Sequence, residues 1–172
     1  MTILAIDPGQ AGAFVFLEGA KMHFQNMPLK KDGTKDVDFD AVMELLRPYR
    51  ARKPVRVFLE RVSAFGMGTT AALNYGRGFA ALEIAIALTG LPVTYLEPSK
   101  WAKVMHEGIA KDLKPKAKSQ IAIGRLFPQY LKDIPQSKAG KYHEGVVDAL
   151  LIAGYGARVS GLEQTVLGRD DF

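Results

Sequence analysis

Cysteine is absent from the 172 residues, which excludes a disulfide framework and any thiolate-ligated zinc site. That composition fits a reducing compartment. No basic segment followed by an apolar one precedes the first strand-like run, so no secretory signal is expected. The most apolar stretch, residues 79–93, is too short to span a bilayer and contains Glu83. No repeat, low-complexity tract or dividing linker is found. The expectation is therefore a cytoplasmic protein with no membrane contact. It should form one domain over residues 1–160, with residues 161–172 as a C-terminal tail.

Hydrophobic residues make up 48% of the chain, enough for a sizeable core and too many for a disordered polypeptide. The net charge is +5 and the pI about 9.4. The distribution says more than the total. Residues 98–141 hold ten lysines and arginines against three acids, so this segment alone carries +7 and the remainder is net acidic. Concentrated positive charge suits a surface that follows phosphates. A solvated, lysine-rich helical face is the plainer reading, and charge alone does not separate the two.

Apolar runs at 2–6, 13–17 and 22–27, joined by tight connections, predict a three-stranded antiparallel meander. Residues 28–36 read as a loop. Phe39, Val42, Met43, Leu45 and Leu46 recur at helical spacing behind Asp38, a suitable N-cap, and this helix should end between Arg50 and Lys53. A fourth strand at 55–59 ends in Glu60. A long helix at 70–89 stops at Gly90, and its second half is apolar almost all round, so it must be covered on more than one side. A fifth strand at 93–96, short helices at 100–105 and 116–127, and a strong helix at 143–159 complete the order. A meander continued by alternating helices and strands gives an α/β fold, a mixed five-stranded sheet of three antiparallel and two parallel strands flanked by helices.

Four acids sit at the edges of these apolar elements. Asp7 closes the first strand and Glu60 the fourth; if the two strands are parallel neighbours, both side chains emerge at the carboxyl edge of the sheet, where ligands of open α/β sheets bind. Asp148 lies within the apolar run 146–153, a costly place for a charge without a partner or a metal. Glu144, four residues earlier, shares its helical face. Clustered carboxylates raise one another's pKa, and a divalent cation removes that penalty. Oxygen donors suit Mg²⁺ or Mn²⁺, and two such ions ~4 Å apart can hold the attacking and leaving oxygens of a phosphodiester in line. Each acid also has a plainer reading: Asp7 as a turn residue before Pro8-Gly9, Glu60 paired to an arginine, Asp148 satisfied by a lysine.

Ile6-Asp7-Pro8-Gly9, Leu59-Glu60-Arg61-Val62 and the run His143-Glu144-Gly145-Val146-Val147-Asp148-Ala149-Leu150 occur in the order used by RuvC-type Holliday junction resolvases of the RNase H-like superfamily. Tyr75-Gly76-Arg77-Gly78, Pro98-Ser99-Lys100-Trp101 and Lys114-Pro115-Lys116-Ala117-Lys118-Ser119 agree as well. Over residues 1–158 the chain most resembles the shorter RuvC-like proteins of bacteriophages. The resemblance implies a homodimer that binds four-way DNA, in a bacterial cell or a phage-infected host. Each subunit would nick one strand with two Mg²⁺ or Mn²⁺ ions, leaving a 5′-phosphate and a 3′-hydroxyl. It implies Asp7, Glu60 and Asp148 as metal ligands. The family often places a second acid or a histidine three residues before the last aspartate. That position here is Gly145, so Glu144 is assigned as the fourth ligand, as in phage-type members. His143 is assigned to activating the water or steadying the phosphate, against a plainer place beside a helix N-cap.

Lys100, Lys116 and Lys118 are the expected phosphate contacts, largely blind to sequence. Phe65 and Met67 follow Glu60 in a glycine-flanked loop, where they could wedge between base pairs at a junction centre. Phe65 tucked into the core is the alternative. The apolar helix around residues 79–88 reads either as a self-complementary dimer face or as a helix buried within one subunit. Three rival functions stand beside the resolvase. One is a nuclease for forks, flaps and other branches. Another is an actin-like or sugar-kinase-type nucleotide-binding protein, disfavoured by the chain length and the lack of a second glycine-rich phosphate turn. The last is a junction-binding module without catalysis.

Overall fold

The computed structural model describes residues 1–51 and 54–162. One sheet holds β1 (Thr2–Asp7), β2 (Ala13–Glu18), β3 (Lys21–Asn26), β4 (Val55–Glu60) and β5 (Val93–Leu96) in the order β3-β2-β1-β4-β5. The first three strands are antiparallel neighbours, while β4 runs parallel to β1 and β5 parallel to β4. Tight turns permit only antiparallel pairing, and the parallel pairs need helical crossovers. These are α1 (Phe39–Arg50) and α2 (Thr69–Thr89). Then follow α3 (Pro98–Met105), α4 (Pro115–Leu126), a 3₁₀ turn (Pro128–Asp133) and α5 (Glu144–Val159). The expected mixed sheet is present, with element ends within about two residues of the sequence reading.

Strand alternation sorts the core into two layers. Leu4 and Ile6 of β1, with Val57 and Leu59 of β4, pack against α1 and α2 through Leu46, Leu82 and Ile86. Ile3 and Ala5, with Phe58, point to the other face and meet α3, α4 and α5. Asp7 and Glu60 share the parity of this second set, so both fall on the face that α5 covers.

The helix ends follow local chemistry. The Asp38 carboxylate accepts the Ala41 amide at 3.1 Å and caps α1, which continues through Pro48 to Arg50. Gly90 stops α2 in the left-handed region at φ 68°. The end of α5 is capped by the two residues that follow Ser160. Gly161 donates to the Arg158 carbonyl, Leu162 donates to that of Ala157, and Leu162 packs on the core. This is a Schellman cap, which ties residues 161 and 162 to the end of α5. The rest of the expected tail lies outside the described residues, as does Lys53 at the expected end of α1.

Two alternatives left open by the sequence, one at α2 and one in the loop before it, are removed. Only one side is covered, by Leu82, Ala85, Ile86 and Thr89, whereas Leu73, Ile84 and Leu88 are each more than half exposed. Burial within one subunit therefore does not account for its apolar character. Phe65, in the loop before α2, is 97% exposed, which rules out the core alternative. Among the described residues no helix is long and apolar enough to cross a membrane.

Candidate active site

The parallel pairing of β1 with β4 sets Ile6 beside Leu59, so the next residues, Asp7 and Glu60, leave the sheet side by side. Asp7 opens the turn to β2, where its Oδ1 accepts the Gly9 amide at 3.2 Å. Gly12 then returns an amide to the Gly9 carbonyl at 2.8 Å. The start of α5 is pressed onto this turn by two glycines. A Cβ at Gly145 would lie 2.1 Å from the Ala11 carbonyl oxygen and 2.6 Å from Gly12 Cα; one at Gly12 would lie 2.1 Å from the Asp7 carbonyl oxygen. Backbone thus meets backbone, and the first turns of α5 bring Asp148 to the edge that holds Asp7 and Glu60. The same contact explains the departure at Gly145: with this approach, position 145 has no room for an acid.

A direct expectation follows. Gly145→Ala must push α5 off the turn, because carbonyl oxygen and backbone cannot yield as a side-chain end can. The cost should be about 1–3 kcal/mol, as for other overpacked sites. Thermal unfolding reads it, and an unchanged melting temperature would refute the close approach.

The three carboxyls feel one another. Burial pushes Glu60 up to about 7; an indole hydrogen bond from Trp101 opposes the rise, and the charges of Asp7 and Asp148 add to it. Burial likewise raises Asp148 to about 6, opposed by the Ser119 hydroxyl and reinforced by Asp7 and Glu144. Burial raises Asp7 as well, with the Gly9 amide pulling the other way. Asp148 Oδ1 is buried and has no hydrogen-bond partner. An unpaired buried oxygen of this kind is costly and calls for a ligand.

Glu144 is placed differently from the other three. It is exposed, and its Oε2 takes the Lys116 ammonium at 2.6 Å. Among the described residues, no three His, Asp or Glu side chains lie close enough together to hold a metal ion. The electrostatic coupling and the orphaned Oδ1 nevertheless fit a divalent cation: the donors are hard oxygens, and bound positive charge would relieve the repulsion that raises their pKa values. His143 is itself the N-cap of α5, its Nδ1 accepting the Val146 amide at 3.3 Å, so a neutral His143 carries its proton on Nε2.

Of the basic residues, Lys116 lies within electrostatic reach of Asp148. Lys100 is exposed on α3, Lys116 faces Glu144, and the Lys118 ammonium donates to the Lys111 carbonyl at 3.0 Å. A cleft of about 480 Å³ is lined by Lys103, His106, Lys111 and Lys118. A second, of about 550 Å³, lies between the Pro8–Gln10 turn and α2, with Met67 and Asn74 on its wall. Trp101, Ser119 and His106 carry no signal in the sequence that marks them as functional. Trp101 hydrogen bonds to Glu60, Ser119 faces Asp148, and His106 touches both Trp101 and Ser119.

No family model matches the chain, and no curated protein does. Among solved structures, T. thermophilus RuvC in complex with a Holliday junction substrate is similar over 94% of this chain and 98% of that one, with a TM-score of 0.57 and 18% identity. A further Thermus thermophilus RuvC structure is similar over the same shares, with a TM-score of 0.59 and 19% identity. Identity this low establishes fold rather than activity. The order of strands, the crossover helices and the nearly full mutual coverage agree: the chain has the RNase H-like fold in the form found in RuvC.

Proposed function

We propose that the chain is a metal-dependent endonuclease that resolves four-way DNA junctions by paired nicks. The observation that carries this reading is that Glu60, buried on β4, and Asp7 and Asp148, half-buried on β1 and α5, lie near enough at one sheet edge for their charges to couple, with Asp148 Oδ1 left unpartnered. Asp7, Glu60 and Asp148 would hold Mg²⁺ or Mn²⁺, with Glu144 as a fourth ligand on release from Lys116. When bound, two such ions would supply activation of a water and charge to stabilise the leaving oxygen, and the expected products are a 5′-phosphate and a 3′-hydroxyl. The chain's own groups do the remainder. The Gly9 amide holds one Asp7 oxygen in place. His143 presents an Nε2 proton at the start of α5, suited to a phosphate oxygen. Lys100, Lys116 and Lys118 neutralise backbone phosphates.

The RuvC neighbour bound to a Holliday junction supports a four-way substrate, and the +7 segment supports DNA. The two-fold symmetry of such a junction suits a dimer. Leu73, Ile84 and Leu88 lie eleven and four residues apart, on one face of α2, as an apolar stripe for a second copy. The deciding experiment is a Mg²⁺-dependent cleavage assay on a four-way junction, a Y-fork, a flap and linear duplex. Preferential paired nicking of the junction is expected. Equal cutting of forks and flaps would make the protein a general debranching nuclease, and no cutting at all would overturn the enzyme. Micromolar ATP binding in that last case would favour the actin-like reading.

Two substitutions separate the DNA contacts. Phe65→Ala should leave the melting temperature unchanged, since the ring touches nothing that stabilises the fold. It should lower junction cleavage by about tenfold, worth ~1.4 kcal/mol, through loss of a wedge. Unaltered cleavage would remove Phe65 from the interface. Lys118→Ala should weaken binding to all sequences alike and lower the salt slope by about 1. An unchanged slope in a salt titration would exclude a phosphate contact there.

A further inference from the structure

The nuclease reading leaves three polar side chains near the carboxyls without a role. Trp101 is the only tryptophan in the chain and is 5% exposed. Its Nε1–H donates to Glu60 Oε1 at 2.7 Å. His106, just past the end of α3, meets the Trp101 ring edge-on, with centroids 5.6 Å apart and planes at 75°. Its Nε2 lies 3.2 Å from Ser119 Oγ. Ser119, on α4 and also 5% exposed, faces Asp148 closely enough for its hydroxyl to favour the ionised carboxylate. A hydroxyl has one proton. If Ser119 donates it to the carboxylate, it must accept from His106 Nε2–H, which sets the direction of the whole chain.

The contacts run from Glu60 through Trp101 and His106 to Ser119, whose hydroxyl in turn bears on Asp148. They connect acids on β4 and α5 by way of two helices that supply neither acid. Core packing alone does not account for this choice of partners. A buried indole N–H needs an acceptor, but any carbonyl would serve. Here it takes a carboxylate oxygen, in a charge-assisted bond that is stronger and more directional than a neutral one. Glu60 Oε2 and Asp148 Oδ1 are left without these bonds.

Resting on the nuclease reading, we propose that α3 and α4 form a positioning bracket. Trp101 and Ser119 each orient one metal-side carboxylate, and His106 ties the two holders into a single unit, so that Glu60 Oε2 and Asp148 Oδ1 are set before an ion arrives. Trp101, His106 and Ser119 are positioning residues in this scheme. Partners of this kind commonly govern 10–100-fold in metal affinity.

The full-length chain tests the bracket through metal binding as well as cleavage. Trp101→Phe keeps the ring and removes the donor; Ser119→Ala removes the hydroxyl. Each should weaken Mn²⁺ binding in calorimetry about 10–100-fold, with junction binding in EDTA unchanged. The double variant should lose little more than the weaker-binding single one, because either cut breaks the same unit. His106→Leu should behave like the singles, and His106→Asn, which keeps an N–H, should recover part of the affinity. Because Trp101 is the sole tryptophan, its emission should shift when Mg²⁺ is added to the wild type and stay still in Glu60→Gln. That arm stands even if Trp101→Phe fails to fold. Wild-type Mn²⁺ affinity in both singles, additive losses in the double, or an emission indifferent to Mg²⁺ would each overturn the bracket while the cleaving wild type keeps the nuclease reading. A wild type that neither binds metal nor cuts DNA overturns both.

Discussion

Asp7→Asn and Asp148→Asn should each abolish junction cleavage and leave junction binding intact. Asparagine keeps the size of the side chain and one oxygen but loses the charge that would hold a cation. Metal-assisted stabilisation of a phosphodiester transition state is worth several kcal/mol. At 1.36 kcal/mol per decade, a loss of about 100- to 1000-fold or more is expected. Binding should survive because, on the proposed reading, the lysines of the 98–141 segment would carry the phosphate contacts. It should tighten slightly in the absence of metal, since a negative charge facing phosphate has been removed. The fold should not suffer. Both carboxyls are raised by burial, so the neutral amide relieves a desolvation cost in the metal-free protein. Single-turnover cleavage of a labelled four-way junction, with gel-shift affinity in EDTA, separates the two effects. A variant that nicks at the wild-type rate sinks the assignment. So does one that fails to cut only because it no longer binds. A pure binding module predicts instead that Asp7→Asn leaves the biological activity intact.

Much of the site was legible in the residues for identifiable reasons. Asp7 and Glu60 could be placed because each ends an apolar run, and a strand has only two faces. Ile3 and Ala5 predict the side of Asp7, and Phe58 that of Glu60. Asp148 stood out because a charge among Val146, Val147, Ala149 and Leu150 is anomalous. The turns after β1 and β2 are too short for anything but a hairpin, so the meander could be read as well. What escaped was non-local. The Trp101–Glu60 bond joins residues 41 positions apart, and no period in the sequence signals it. The contact of Gly145 with Gly12 depends on how closely a helix approaches a turn, which only the folded chain decides. Glu144 carries the right charge on the right face but turns to Lys116, 28 residues away. Hydrophobicity alone also misjudged the surroundings of α2: it showed that the helix wants cover, and it could not show that one flank lacks it. Phe65 was open for the same reason, since a phenylalanine in a loop points inward or outward with equal economy on paper.

Without divalent metal, the protein should lose stability as pH rises from about 4 to about 7. Glu60 titrates near 4.5 when unfolded and at about 7 when folded; Asp148 moves from 3.8 to about 6. An acid whose folded pKa lies above its unfolded value binds more protons in the folded state over the interval between them, so unfolding becomes easier as pH climbs through it. The stabilisation is complete below the unfolded pKa and gone above the folded one. For Glu60 the span corresponds to about 3 kcal/mol at most. The contributions of Glu60 and Asp148 do not add in full, because part of each rise is the other's charge. Glu60→Gln isolates the effect: it cannot ionise, so in EDTA its melting temperature should exceed that of the wild type at pH 8 and approach it at pH 4. Mg²⁺ should reverse the order at pH 8. A cation repays the ionised carboxylates of the wild type and has less to bind in the variant, in proportion to its occupancy. Melting curves of both proteins at pH 4, 6 and 8, with EDTA or with Mg²⁺, give the whole pattern. If the wild type in EDTA is as stable relative to Glu60→Gln at pH 8 as at pH 4, the glutamate is not held protonated by burial and neighbouring acids. The edge of β1, β4 and α5 would then not be the strained anionic cluster that a metal is needed to relieve.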